Sequence, residues 1–285
     1  TGEQYAPDLM VKEAVQFIEE NKENPFFLYY PTPVPHLALQ VPDDSLEEYK
    51  GKWDDPPYTG KRYLPHPHPK AAYAAMITRM DDHIGQIMDT LKKNGMDEDT
   101  LVIFTSDNGP TFLEGPDTDF FDSNGPLRGK KGDLYEGGIR VPTVARWPGK
   151  IKPGAVSEHA SAFWDVLPTL ADLVEGEVQD DIDGISFLPE LLGESGQKKH
   201  EFLYWEFPSY GGQQAIRMGD WKAIRTKLQR KDAGHSFELY HLKTDIDESH
   251  DVAEQHPEIM KKIKAIAERE HVPSDLFPIP VLDKK

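Results

Sequence analysis

Leu101-Val102-Ile103-Phe104-Thr105-Ser106-Asp107-Asn108-Gly109 is the stretch on which the fold turns. From Leu101 to Thr105 every residue is apolar or β-branched, with no polar alternation. A strand covered on both faces reads this way, because neither side meets water. The chain then breaks into Ser-Asp-Asn-Gly, which is turn chemistry. A strand ending on a carboxylate and an amide sets both at the carboxyl edge of a sheet, where open parallel sheets bind their ligands.

Upstream lies the clearest helical pattern. Tyr73, Met76, Ile77, Met80, Ile84, Ile87, Met88 and Leu91 recur at steps of three and four, which predicts a helix over 69–93. Pro69 suits its first turn and Asn94-Gly95 its end. His83 on this helix is expected to be structural or exposed. A second helix is predicted over 8–20 from Val11, Ala14, Val15 and Ile18, with Asp8 as its cap. Phe26-Phe27-Leu28-Tyr29-Tyr30 is predicted as another strand covered on both faces. A Pro-rich loop holding His36 follows, and residues 43–69 read as a long surface excursion. Downstream, Val141–Trp147 is a strand candidate and Phe163–Val174 a helix.

Strands that alternate with helices imply an α/β fold, a mostly parallel sheet flanked by helices. After residue 200 the pattern changes. Phe202–Phe207, Gln214–Met218, Trp221–Arg225 and Phe237–Tyr240 are short strands, and Gly219-Asp220 is a tight turn between two of them. A helix over Pro257–Glu270 closes the chain. This predicts a larger α/β domain over 1–199 and a smaller C-terminal antiparallel sheet with one packing helix over 200–285.

Composition excludes some functions. The formal net charge of −18 argues against nucleic acid as a partner, since neutralising a phosphate backbone needs a basic surface. It argues equally against attraction to an anionic lipid surface, and no apolar run is long enough for a membrane-spanning helix. With no cysteine, the chain has no disulfide, no zinc-thiolate site and no cysteine nucleophile. Thr1-Gly2-Glu3-Gln4 has neither the charged nor the apolar stretch of a signal segment, as expected where a signal has been removed or the chain begins mid-protein.

Several residues carry chemistry. Asp107 and Asn108 offer hard oxygen donors suited to Ca²⁺ or Mg²⁺, although the same triplet is ordinary turn chemistry. His36 sits among Pro31, Pro33, Pro35 and Pro42, a stiff loop that would hold an imidazole for proton transfer. Lys130 and Lys131 lie between glycines in Arg128-Gly129-Lys130-Lys131-Gly132, where backbone comes close to a ligand and Lys supplies a compact positive charge. With Arg140 they make a basic cluster in an acidic chain, which favours an anion site over a plain basic turn. Trp53 and Tyr58 are candidates for stacking on a sugar or aryl ring, or simply pin their loop. His66 and His68 have no adjacent acidic partner and read poorly as metal ligands.

Taken in order, these segments resemble the sulfatase family of the alkaline-phosphatase-like superfamily. The resembling parts are Pro25–Tyr30 running into Pro35-His36, Tyr73–Gly85, Phe104–Gly109, Leu127–Gly132 with Tyr135–Pro142, Trp147-Pro148-Gly149, and Arg217–Lys222 with Glu238–Tyr240. The resemblance implies hydrolysis of sulfate esters by a formylglycine made from Cys or Ser, helped by a divalent cation, usually Ca²⁺ with Mg²⁺ possible. It implies Asp107 and Asn108 as metal ligands and Lys131 on the sulfate, with Lys130 if the register slips by one. It implies His36 at the leaving-group oxygen. Arg128, Trp53 and Tyr58 are then expected on the substrate, a sulfated small molecule or glycan.

The chain departs from the family at two points. No Cys or Ser begins the Cys/Ser-x-Pro/Ala-x-Arg motif that carries formylglycine, and the paired aspartates of the first strand are missing. The chain is therefore expected to be the C-terminal portion of a sulfatase, inactive alone, with the missing N-terminal part as a partner. A periplasmic or secreted location is expected for the complete protein. A phosphatase, phosphodiesterase or phosphonate hydrolase of the same superfamily, or a non-catalytic protein that binds sulfated glycans, are the alternatives.

Overall fold

The computed structural model describes residues 3–230 and 234–283. Contacts divide the chain into two compact units whose segments interleave. The first holds residues 1–102, 111–123 and 146–149, and the second 103–110, 124–145 and 150–285. The predicted division at residue 200 falls inside the second unit.

The first unit is helical. α1 (Ala6–Asn21) buries Val11, Ala14 and Ile18, the predicted stripe apart from half-buried Val15. It packs on α3 (Pro69–Lys93), which runs over the predicted residues. Asp8 is not a cap, because the helix already begins at Ala6. Its carboxylate instead takes Arg79 Nε and Nη2 at 2.7 and 2.6 Å and His83 Nε2 at 2.9 Å. That tether explains why His83 is buried on a helix whose Ile77 is exposed.

Residues 43–69 are not wholly a surface excursion. α2 (Asp43–Tyr49) packs on α3 through buried Leu46, and Tyr49 shares a hydrogen bond of 2.7 Å with Thr78. Val34, Leu37 and Leu39 from the Pro-rich loop join Ala72, Tyr73 and Met76 in this core.

Phe26–Tyr30 forms no strand. Among the described residues it pairs with no strand, and Phe27 and Tyr29 are 68% and 73% exposed. Apolar patterning supplies the residues of a covered strand, but only a ladder partner makes one. β1 (Val102–Thr105) and β2 (Thr143–Arg146) do form where expected, as a two-stranded sheet. They are not buried on both faces, and Phe104 and Val144 lie open.

The second unit centres on a four-stranded antiparallel sheet of β3 (Leu203–Phe207), β4 (Gln213–Met218), β5 (Trp221–Arg225) and β6 (Glu238–His241), in that order. Met218 faces Trp221 in the register, so Gly219-Asp220 is the two-residue turn read from the sequence. Side chains alternate across the sheet, as the period of two requires. Ile216, Ala223 and Leu239 meet Met260, Ile263, Ile266 and Ala267 of the last helix, Pro257–Glu270. Ala215, Ile224 and Tyr240 point the other way, towards Leu134, Tyr135 and Ile139. The sheet is therefore a platform, with a helix on one face and the lysine-bearing loop on the other.

Short helices over Glu136–Ile139 and Leu188–Leu192 were not read from the sequence, and Phe163–Asp165 is a 3₁₀ turn leading into a helix over Val166–Leu173. Among the described residues no helix is long and apolar enough to cross a membrane.

Candidate active site

The turn after β1 and the loop over 128–138 are stitched together by backbone. Gly109 N–H donates to the Gly138 carbonyl at 2.9 Å, and Lys131 N–H donates to the Pro110 carbonyl at 2.8 Å. The approach is so close that a Cβ on Gly109 would stand 1.8 Å from the Gly137 carbonyl oxygen. Only glycine permits that distance. Thus the two motifs, separated in sequence, form one continuous surface.

On this surface Asp107 is exposed and Lys131 half-buried. Neither side chain makes a hydrogen bond or ion pair among the described residues. Asn108 donates its side-chain amide to the Gly109 carbonyl at 3.0 Å, which leaves its carbonyl oxygen available as an acceptor. Lys130 N–H is held by the Asp133 carboxylate at 3.0 Å, which closes the tight turn over 130–133.

Beneath the loop lies a buried charge cluster. Lys222 Nζ, fully buried on β5, is 2.8 Å from Glu136 Oε1 and 3.0 Å from Glu248 Oε1. The second contact is ionic without being aligned as a hydrogen bond. Glu248 also accepts the Glu136 N–H at 2.6 Å. Burial works to raise the Glu136 carboxyl, but Lys222, with Arg217 and Arg140 beyond it, holds it below the usual range. For Glu248 burial wins, and its carboxyl is pushed up despite Lys222. Two carboxylates thus compete for one ammonium, and the protein settles the contest in favour of Glu136.

Other ties hold the same loop. Gln213, buried at the start of β4, donates to the Gly132 carbonyl at 2.6 Å and accepts from Leu134 N–H at 3.1 Å. The Tyr135 hydroxyl donates to Glu238 at 2.6 Å. Arg128, expected on the substrate, directs its guanidinium inward. Its Nη1 donates to the Tyr240 hydroxyl at 3.0 Å and the Glu248 carbonyl at 2.7 Å, and the group lies over the Tyr135 ring at 3.9 Å.

His36, Trp53 and Tyr58 belong to the first unit. His36 is exposed, in the turn closed by its N–H on the Pro33 carbonyl at 2.8 Å. Its Nδ1 lies 2.5 Å from the Leu37 carbonyl, which can only accept, so Nδ1 carries the proton and Nε2 is the atom left for chemistry. Trp53 packs against Tyr49, Phe120 and Phe121 with centroids 5.5 to 5.9 Å apart, the arrangement of a residue that pins its loop. Tyr58 forms an isolated bridge with His66, and its hydroxyl accepts Lys61 N–H at 3.2 Å.

A cation at the 107–108 turn would find two oxygen donors, a carboxylate and an amide carbonyl. Their chemistry suits Ca²⁺ or Mg²⁺, but Ca²⁺ takes about six to eight oxygens. Among the described residues no cluster of three or more His, Cys, Asp or Glu offers a complete site. The two donors fit part of a shell.

The profile described as sulfatase matches residues 2–176, more than half of the chain. The chain belongs to the sulfatase family. A second sulfatase-family profile, N-sulphoglucosamine sulphohydrolase C-terminal, matches residues 130–271. The chain is 31% identical over 279 residues to an N-acetylgalactosamine-6-O-sulfatase of Bacteroides thetaiotaomicron, covering 92% of this chain and 50% of that protein. It is 32% identical over 219 residues to the steryl-sulfatase of Mus musculus, covering 75% of this chain and 32% of that protein. Among solved structures, Ps i-CgsB in complex with k-i-k-neocarrahexaose superposes with a TM-score of 0.76 at 29% identity, over 93% of this chain and 55% of that one. The fold is accordingly α/β and alkaline-phosphatase-like. The chain spans about half the length, or less, of the curated sulfatases it matches here.

Glu136, Gln213, Lys222 and Glu248 were not read from the sequence as part of the site. One signal was present: Lys222 follows Trp221 and precedes Ala223 and Ile224 in a strand whose own pattern leaves Lys222 on a covered face.

Proposed function

We propose that this chain carries part of a sulfuric-ester hydrolase site that acts on the sulfate ester of a sugar or aryl alcohol. The observation that supports this most is the backbone stitching of Gly109 to Gly138 and Lys131 to Pro110, which joins the Asp107-Asn108 turn to the Lys131 loop. Lys131 contacts the sulfate oxygens as a compact charge, where negative charge persists through the transition state. For His36, which lies in the first unit, the family resemblance implies proton transfer, with Nε2 the atom left for it. Asp107 and the Asn108 carbonyl oxygen hold a divalent cation, whose contribution when bound is to screen the sulfate charge.

The nucleophile is proposed to come from outside these 285 residues, since no Cys or suitable Ser motif is among them. The reaction is therefore expected to need a polypeptide that carries that motif. Release of sulfate from an aryl sulfate, measured with the chain alone and with such a polypeptide supplied, is the test. Turnover only in the second case is expected. Robust turnover by the chain alone would refute this part of the reading.

A further inference from the structure

The residue that joins the two ends of the lysine loop lies far from it in the chain. Glu248 is fully buried and has φ of +49°, in the left-handed region that non-glycine residues seldom occupy. Such strain persists only where the surroundings over-determine it, and it collects at functional sites. Here the surroundings are fixed on both sides of the residue. Glu248 N–H closes a turn on the Asp245 carbonyl at 3.2 Å, and the Asp245 carboxylate accepts the Ser249 and His250 N–H groups at 3.1 and 3.2 Å. Asp251 accepts Leu239 N–H at 2.9 Å, which pins the segment to β6.

From this turn Glu248 reaches three partners. Its carbonyl accepts Arg128 Nη1 at 2.7 Å, its Oε2 accepts Glu136 N–H at 2.6 Å, and its Oε1 faces Lys222 Nζ at 3.0 Å. Arg128 and Glu136 stand at the two ends of the segment that carries Lys131. Those ends also meet each other, since Gly137 N–H donates to the Arg128 carbonyl at 2.7 Å. A Cβ on Gly137 would lie 2.2 Å from the Gly129 carbonyl oxygen, so no side chain fits between them. Glu248 thus grips a closed loop at both sides of its base. The Lys131 side chain has no partner of its own among the described residues, so the backbone of the loop sets the reach of its ammonium.

We infer that Glu248 is a positioning residue for the sulfate contact: by holding Arg128 and Glu136 it sets where Lys131 presents its ammonium. This rests on the proposed sulfate site at Lys131. Glu248 itself is shut off from solvent and acts only through the loop. A binding contact depends on supporting groups that fix it to within about half an ångström.

The test is a nuclear magnetic resonance titration of the full 285-residue chain with methyl sulfate, paired with thermal unfolding of each variant. Glu248→Gly suits the left-handed backbone and keeps the carbonyl for Arg128. It removes the carboxylate from Glu136 N–H and leaves Lys222 paired with Glu136 alone. It is expected to bind methyl sulfate about tenfold more weakly, the lower end of what one hydrogen bond to a charged group contributes. Glu248→Gln keeps an acceptor for Glu136 N–H and is expected to bind as the wild type does. Ile263→Ala, in the core on the opposite face of the sheet, should lower the melting temperature without changing the affinity, which separates positioning from stability. If Glu248→Gly does not fold, Glu248→Asp decides instead: its carboxylate is one methylene short of Glu136 N–H, and the same weakening is expected. Wild-type affinity in the variant that folds, an equal loss in Glu248→Gln, or an equal loss in Ile263→Ala would overturn the positioning role while the sulfate site stands. Failure of the wild type to bind methyl sulfate would overturn the sulfate site and the positioning role with it.

Discussion

At the scale of single residues, the most consequential group is the buried Lys222, with Glu136 and Glu248. Removing charges from water is costly, and such a cluster persists only when its members satisfy one another. Here they do so unequally, and the inequality has a pH signature. The Glu248 carboxyl lies above its ordinary 4.5 because of burial, only partly offset by Lys222. Between those two values the folded chain binds more protons at this group than the unfolded chain. Its contribution to stability is therefore fully present below 4.5 and is lost as pH rises through the folded value. Glu248→Gln imitates the protonated form. Urea denaturation as a function of pH should show the variant gaining on the wild type as pH rises above 4.5. A stability difference independent of pH would show that Glu248 titrates normally.

None of these partners was legible in the sequence, and distance along the chain explains why. The Glu136–Glu248 contact spans 112 residues, and the Leu134–Gln213 contact spans 79. Local patterns identify a strand and its faces, but they do not say which loop will lie on a face. Asp107, Asn108 and Lys131 stand out in the sequence because turn residues, glycines and a basic cluster mark them locally, and backbone hydrogen bonds join their two segments. Arg128 was marked by the same signals, yet its guanidinium is turned to Tyr240 and Glu248. Charge type alone does not give direction.

At the scale of elements, the helix over Pro69–Lys93 and the strand over Trp221–Arg225 matched their predicted ranges, since periodicity and turn residues are local signals. Phe26–Tyr30 was misread because apolar content does not provide a hydrogen-bonding neighbour. The junction between the 107–109 turn and the 136–139 helix is where an element-level change should matter most. Gly109→Ala would place a methyl group 1.8 Å from the Gly137 carbonyl oxygen, so one loop must move. Overpacking of this kind typically costs about 1–3 kcal/mol. Thermal or urea unfolding should register that loss, together with weakened sulfate binding. Unchanged stability with unchanged binding would mean the two loops are not rigidly joined.

At the scale of the whole molecule, two units each have their own core, one built on α1, α2 and α3 and one on the four-stranded sheet. The second presents one stitched surface that bears Asp107, Asn108 and Lys131, in a chain whose overall charge is −18. A local basic loop in an acidic molecule makes a specific prediction, because bulk attraction does not favour an anion anywhere else. Backbone amide shifts recorded during a titration with methyl sulfate test this most directly. The largest changes should cluster at Asp107, Asn108 and Gly109 and at Lys130, Lys131 and Gly132, and they should vanish in Lys131→Ala. Saturable shifts centred elsewhere, or binding that survives Lys131→Ala undiminished, would contradict the account.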